Sequence, residues 1–209
     1  MAVLGDSYYL NIRTLNSIDI WKLDMKWSHF SSQPTTYVPP SPPDHNLVAT
    51  GDEKVYTGAC HCGDVKVALK TKPLPEVLVK ECNCSICIRN ALVLFYPKVG
   101  PDVQIFGEEN LTSYSWGRKF NGHRFCKTCS VEVDIVLYGP PKEIVDKLEG
   151  ARLEEYKETM SIHPINLRVL SGVEWPGEVG QYVAEAGDGK VHITREDGTD
   201  DGVPYDIGP

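Results

Sequence analysis

Short runs in which apolar residues alternate with polar ones, or stand in compact groups, recur along the middle of the chain: VKVAL (65 to 69), VLV (77 to 79), LVLFY (92 to 96), VQIF (103 to 106) and VEVDIVLY (131 to 138). Runs of this length, rich in β-branched and aromatic residues, predict strands. In the last, Val131, Val133, Ile135 and Leu137 share one face while Glu132 and Asp134 share the other, the pattern of a half-buried antiparallel strand. Gly100-Pro101 and Gly139-Pro140 punctuate the runs, so the fold class predicted is all-β with short turns. One segment has helical spacing. PKEIVDKLEGARLEEYKE, Pro141 to Glu158, places Ile144, Val145 and Leu148 on a helical period, but Gly150 divides it, which predicts a broken or short surface helix or a charged loop.

Upstream, SSQPTTYVPPSPPDHN (Ser31 to Asn46) carries five prolines and too few backbone donors for a helix or a central strand, so it reads as an extended linker. Before it, NIRTLNSIDI (Asn11 to Ile20) echoes NLRVLSGVEW (Asn166 to Trp175), with the Asn, the Arg and the first aligned Leu matched.

A chain of 209 residues suits one core domain with appendages. No apolar run approaches the roughly 20 residues of a membrane helix. The start, MAVLGDSYYLNIRTL, lacks the basic region and apolar core of a secretory signal, so a reducing, cytoplasmic setting is expected. The net charge of -8 argues against a phosphate-binding surface, hence against nucleic acid as a partner. Much of the acidity sits in the Gly- and Asp-rich tail from Ala184 to Pro209, where seven acidic residues face only Lys190 and Arg195; this tail is expected to be loosely ordered.

All seven cysteines fall between positions 60 and 129, as CHC, CNCSIC and CKTC. An odd count at C-x-C and C-x2-C spacing suits metal binding better than disulfides. A closed four-thiolate zinc site takes two ligands from each of two knuckles, so Cys60 and Cys62 with Cys126 and Cys129 would complete one site. Cys82, Cys84 and Cys87 then form a three-ligand group, the number that leaves a fourth position open. The residues alone also admit a single structural zinc with spare thiols, an iron-sulfur cluster, or a redox pair at Cys126 and Cys129.

GACHCGDV (58 to 65), ECNCSICIRN (81 to 90), HRFCKTCSVEV (123 to 133) and INLRVLSGV (165 to 173) resemble, in order, the motifs of the glutathione-dependent formaldehyde-activating enzyme family, which includes centromere protein V. The resemblance implies a β-tent of small antiparallel sheets around zinc. It implies two zinc ions per chain, a structural one on Cys60, Cys62, Cys126 and Cys129 and a second, open one on Cys82, Cys84 and Cys87. It also implies a carbon-sulfur lyase whose substrate is a glutathione adduct of a small carbonyl compound, such as S-hydroxymethylglutathione. Two positions depart from the family pattern: Asn90 stands where many relatives have Gly after the triplet, and Ser130 follows the last cysteine where Gly is usual. Neither removes a ligand, so both bear on substrate choice more than on metal binding.

The domains implied are a segment 1–30 resembling the end of a truncated preceding copy, a linker 31–53, the zinc domain 54–180 and the tail 181–209. An unrelated N-terminal strand, pairing with the core sheet or with a neighbouring subunit of a homodimer, is the competing reading of residues 1–30. For proton transfer the candidate is His123, three residues before Cys126, ahead of His61 and His163. Arg89, just after the triplet, is the candidate for a substrate carboxylate. Tyr96, Tyr114 and Trp116 are aromatic residues that either line a pocket or pack on a sheet face. The expected partner is a small-molecule thiol or glutathione adduct, with no membrane. A noncatalytic zinc scaffold for other proteins and an enzyme using the same zinc on a larger substrate are the alternatives.

Overall fold

The computed structural model describes residues 2–4, 7–15, 22–24, 40–175 and 190–198. Among them the chain is mostly β, with short helices at the edges. A small hairpin, β1 (Ala2–Leu4) and β2 (Ser7–Tyr9), stands first. A three-stranded sheet then forms from β3 (Lys54–Ala59), β4 (Lys66–Thr71) and β7 (Val103–Phe106), with β4 in the middle. The larger sheet runs in the order β12 (Ile193–Glu196), β5 (Val79–Cys82), β6 (Leu94–Phe95), β11 (Ile165–Asn166), β10 (Glu132–Leu137), β9 (Asn121–Cys126), β8 (Leu111–Tyr114). Its neighbours are antiparallel except β12 and β5, which are parallel. Part of the acidic tail is therefore a strand, with Glu196 opposite Cys82. The linker residues 40–53 contain no helix or strand.

The core is aliphatic, including Val65, Val67, Leu69, Leu74, Val79, Val133, Ile165 and Leu167, each at most 2% exposed. Burying a side chain of this size stabilises by about 1.5–3 kcal/mol. In β4 Val67, Ala68 and Leu69 are all fully buried, as a central strand requires when both its faces are covered. The closing motif Ile165–Leu170 lies directly on β3. Leu170 bridges Gly58, the Ser171 N–H donates to the Thr57 carbonyl at 2.9 Å, and a Cβ at Gly58 would stand 1.9 Å from the Val169 carbonyl oxygen. Only glycine permits that approach.

One sequence expectation changes, and the broken surface helix holds. The strand β10 is not half-buried: its polar residues Glu132 and Asp134 are 5% and 0% exposed. It is an interior strand, and both carboxylates are partnered, Asp134 by Arg124 and His163, and Glu132 by His123 and Asn90. The segment after Pro141 is helical but divided, as α2 (Lys142–Val145) and α3 (Gly150–Met160). Gly150 at the break has φ +55°, and neither helix buries a residue.

Candidate metal centres and active-site cavity

Both outer cysteine pairs sit in hairpin turns. Cys60 and Cys62 lie between β3 and β4, while Cys126 ends β9 and Cys129 lies between β9 and β10. The two turns are built alike: the N–H of Cys60 donates to the Val65 carbonyl at 2.9 Å, and that of Cys126 to the Val131 carbonyl at 3.0 Å. Each turn then needs a left-handed residue, supplied by Gly63 (φ +86°) and Ser130 (φ +60°). The Thr128 hydroxyl donates to the Asp64 carboxylate at 2.8 Å and ties the turns together. The four sulfurs all lie within 4.8 Å of one another, with Cys62 Sγ 3.5 Å from both Cys60 Sγ and Cys126 Sγ. Tetrahedral zinc, with Zn–S near 2.3 Å, sets its sulfurs roughly 3.8 Å apart, so this arrangement fits a metal ion and the thiolate donors suit zinc.

The triplet is built differently. Cys82 ends β5, and Cys84 is the N-cap of a six-residue helix, α1 (Ser85–Asn90), which carries Cys87 in its first turn. These three sulfurs also lie within 4.8 Å of one another, a second group that could hold a metal ion. Cys87 is buried with Leu92, Leu94 and Ile135, and Cys82 and Cys84 pack against that cluster. Hydrogen bonds from Cys82 and then Cys87 draw the Cys84 thiol down to about 3, while the same contacts, chiefly with Cys82, push Cys87 up. One negative charge is thus shared among sulfurs that resist holding three without a cation. The end of the tail strand closes one side. Gly198 donates its N–H to Asn83 Oδ1 at 2.9 Å, and a Cβ there would stand 2.3 Å from Cys82 Sγ.

The other side of α1 faces a cavity of about 520 Å³, within the range that holds small ligands. Ser85, Ile86, Arg89 and Asn90 of α1 form one wall; Tyr114, Trp116, His123, Phe125, Ser130 and Glu132 form the rest. The structure therefore brings both noncysteine candidates into one cavity, Arg89 from the helix that holds Cys87 and His123 from β9. Arg89 Nη1 donates to the Ser85 carbonyl at 3.0 Å, which steadies the guanidinium at the wall. His123, 3% exposed, contacts Glu132 Oε1 through Nδ1, and the Trp116 ring lies 5.1 Å from its ring at 43°. Tyr114 stacks on Trp116 at 5.9 Å, and both rings are substantially exposed.

The other candidates fall elsewhere. His61 is exposed, and His163 Nε2 contacts Asp134 Oδ2 at 2.6 Å. Tyr96 lies beneath the Lys80 ammonium at 5.6 Å and is not part of the cavity wall. Glu132, which alternation set on the outer face of its strand, and Asn90, noted as a departure from glycine, were not among the site residues expected from the sequence. Asn90 Nδ2 donates to Glu132 Oε2, so both are joined to His123 in one polar group that is buried at Glu132 and His123.

Among known families, the model described as glutathione-dependent formaldehyde-activating enzyme matches residues 55–158. Among solved structures, a crystal structure of a Rhodobacter sphaeroides protein is similar, with 24% sequence identity over 60% of this chain and 95% of that one and a TM-score of 0.40.

Proposed function

The chain belongs to the glutathione-dependent formaldehyde-activating enzyme family, and we propose that it is a zinc-dependent carbon-sulfur lyase acting on glutathione-type thiol adducts of small carbonyl compounds, of which S-hydroxymethylglutathione is the simplest. Cys60, Cys62, Cys126 and Cys129 hold a structural zinc and Cys82, Cys84 and Cys87 a second one. When bound, that second zinc supplies an open coordination position where an incoming sulfur is held as thiolate. The observation that carries the reading is the double use of α1: one short helix places Cys87 among the three thiols and Arg89 and Asn90 on the cavity that contains His123.

In the cleavage direction His123 Nε2 takes the hydroxyl proton of the adduct. The O–H electrons form the carbonyl, the carbon-sulfur bond breaks toward sulfur, and the aldehyde leaves; the proton on His123 then returns to the thiolate. Arg89 meets a glutathione carboxylate and fixes which end of the peptide enters. Such chemistry belongs in a reducing compartment such as the cytoplasm, and no helix among the described residues is long and apolar enough to cross a membrane.

The test is to incubate the metal-loaded protein with glutathione and formaldehyde and follow the adduct. Acceleration over the uncatalysed reaction supports the lyase, and kinetics identical to buffer sink it. Metal analysis should give about two zinc per chain, falling by one in Cys84→Ser with the fold retained.

A further inference from the structure

We propose that Glu132 and Asn90 make His123 a preset base, through an Asn–Glu–His relay, buried at Glu132 and His123 and open to the cavity at Asn90, that fixes the imidazole tautomer. This rests on the reading of His123 as the proton carrier. The relay crosses three elements: Asn90 ends α1, Glu132 begins β10, and His123 lies in β9. Glu132 Oε2 accepts from Asn90 Nδ2, Oε1 is in contact with His123 Nδ1, and both Glu132 and His123 are at most 5% exposed. The Glu132 backbone carbonyl is also held, accepting from Asn166 Nδ2 at 2.8 Å. An ionised Glu132 only accepts, which sets the proton on Nδ1 and the lone pair on Nε2. No described residue hydrogen-bonds Nε2, and His123 is part of the cavity wall, so the lone pair is left for a ligand. Trp116, tilted over the ring, hinders its rotation. Glu132 is a positioning residue: it orients the base and stabilises the imidazolium that forms on proton transfer.

The direct test is long-range nitrogen NMR of the histidine rings in the full-length, metal-loaded protein, with the His123 signal assigned by its loss in His123→Gln. The Nδ1–H tautomer is expected for His123, reverting toward Nε2–H in Glu132→Ala. An Nε2–H tautomer in the wild type would overturn the relay, and that spectrum needs no variant to fold. In kinetics Glu132→Gln should lower kcat by roughly 100-fold with little change in KM. A loss confined to KM would contradict a positioning role. An Nδ1–H tautomer in a protein that leaves adduct kinetics unchanged would uphold the relay and reject the lyase.

A separate observation concerns the N-terminal echo. We infer that residues 11–15 are a second copy of the closing motif, working as a clamp on α1. Ile12–Thr14 and Leu167–Val169 are both 3₁₀ turns. Asn11 (φ -74°, ψ 106°) and Asn166 (φ -75°, ψ 108°) cap them alike, each accepting from the backbone N–H two residues on. Both arginines then reach the last carbonyls of the same helix: Arg13 Nη1 donates to Ile88 O at 3.2 Å and Arg168 Nε to Ala91 O at 2.5 Å. The Ile88 carbonyl also accepts the Ala91 N–H at 3.3 Å and the Ala91 carbonyl lies beyond the last helical residue, so two cations meet one helix end. In Arg13→Ala of the full chain, hydrogen exchange at the Ala91 and Leu92 amides should quicken roughly fivefold, with Arg13→Lys retaining part of the protection and β3–β4 unaffected. Unchanged exchange at those two amides would overturn the clamp.

Discussion

Replacing Asp134 by Asn tests whether buried charge pairing holds the larger sheet together. Asp134 is fully buried and accepts from Arg124 through both carboxylate oxygens, Oδ1 at 2.8 Å from Nε, and from His163 Nε2 at 2.6 Å. Asparagine keeps the shape but loses the charge, and its NH2 group must face one of those donors. Removing one partner of a buried pair costs about 3–5 kcal/mol. Arg124 keeps a second partner, Glu108 at 3.0 Å, so the lower end, about 3 kcal/mol, is expected. Urea unfolding of metal-loaded wild type and variant near neutral pH gives the number, and a loss below about 1 kcal/mol would refute the argument. Acid adds a sign. Burial pushes the Asp134 carboxyl up, but His163 and Arg124 outweigh it and hold the group below the usual carboxylate range. A depressed folded value means that its contribution is complete above the unfolded pKa of about 3.9 and is lost as pH falls through the folded value. The gap between wild type and Asp134→Asn should therefore be flat above about pH 5 and narrow below about pH 4. A gap that widens in acid would mean that the carboxylate is not the stabilising form.

The remaining predictions are local. Ser130 has φ +60° at the knuckle, and glycine would remove a left-handed penalty of about 1–2 kcal/mol while adding some unfolded-state entropy, so Ser130→Gly should stabilise by about 1 kcal/mol in the same unfolding assay. Gly58→Ala places a methyl group 1.9 Å from a backbone oxygen of the closing motif and should cost about 3 kcal/mol or more; a normal urea midpoint would show that the motif does not rest on β3. Gly198→Ala sets a methyl group 2.3 Å from Cys82 Sγ, so metal at the triplet should pass to a chelator faster while the four-cysteine site keeps its own. Equal release rates would mean that the strand end does not cover those thiols.

What the sequence revealed follows the range of the interaction concerned. A cysteine pair in a hairpin turn is a local device, because both ligands and the left-handed residue that closes the turn lie within five positions, and the grouping of four and three cysteines could be read from spacing. Strand existence was also legible, but strand limits moved where pairing rather than composition set them: β5 runs Val79–Cys82, past the apolar VLV run, because β6 and β12 pair with it there. Alternation failed at Glu132, since the period of a strand says which residues share a face and nothing about what covers that face. Its cover comes from Asn90, 42 positions away, at the end of a helix too short to show a period. The departures at Asn90 and Ser130 take on meaning from the same geometry. Both residues line the cavity beside Glu132, and Asn90 supplies a hydrogen bond that glycine lacks.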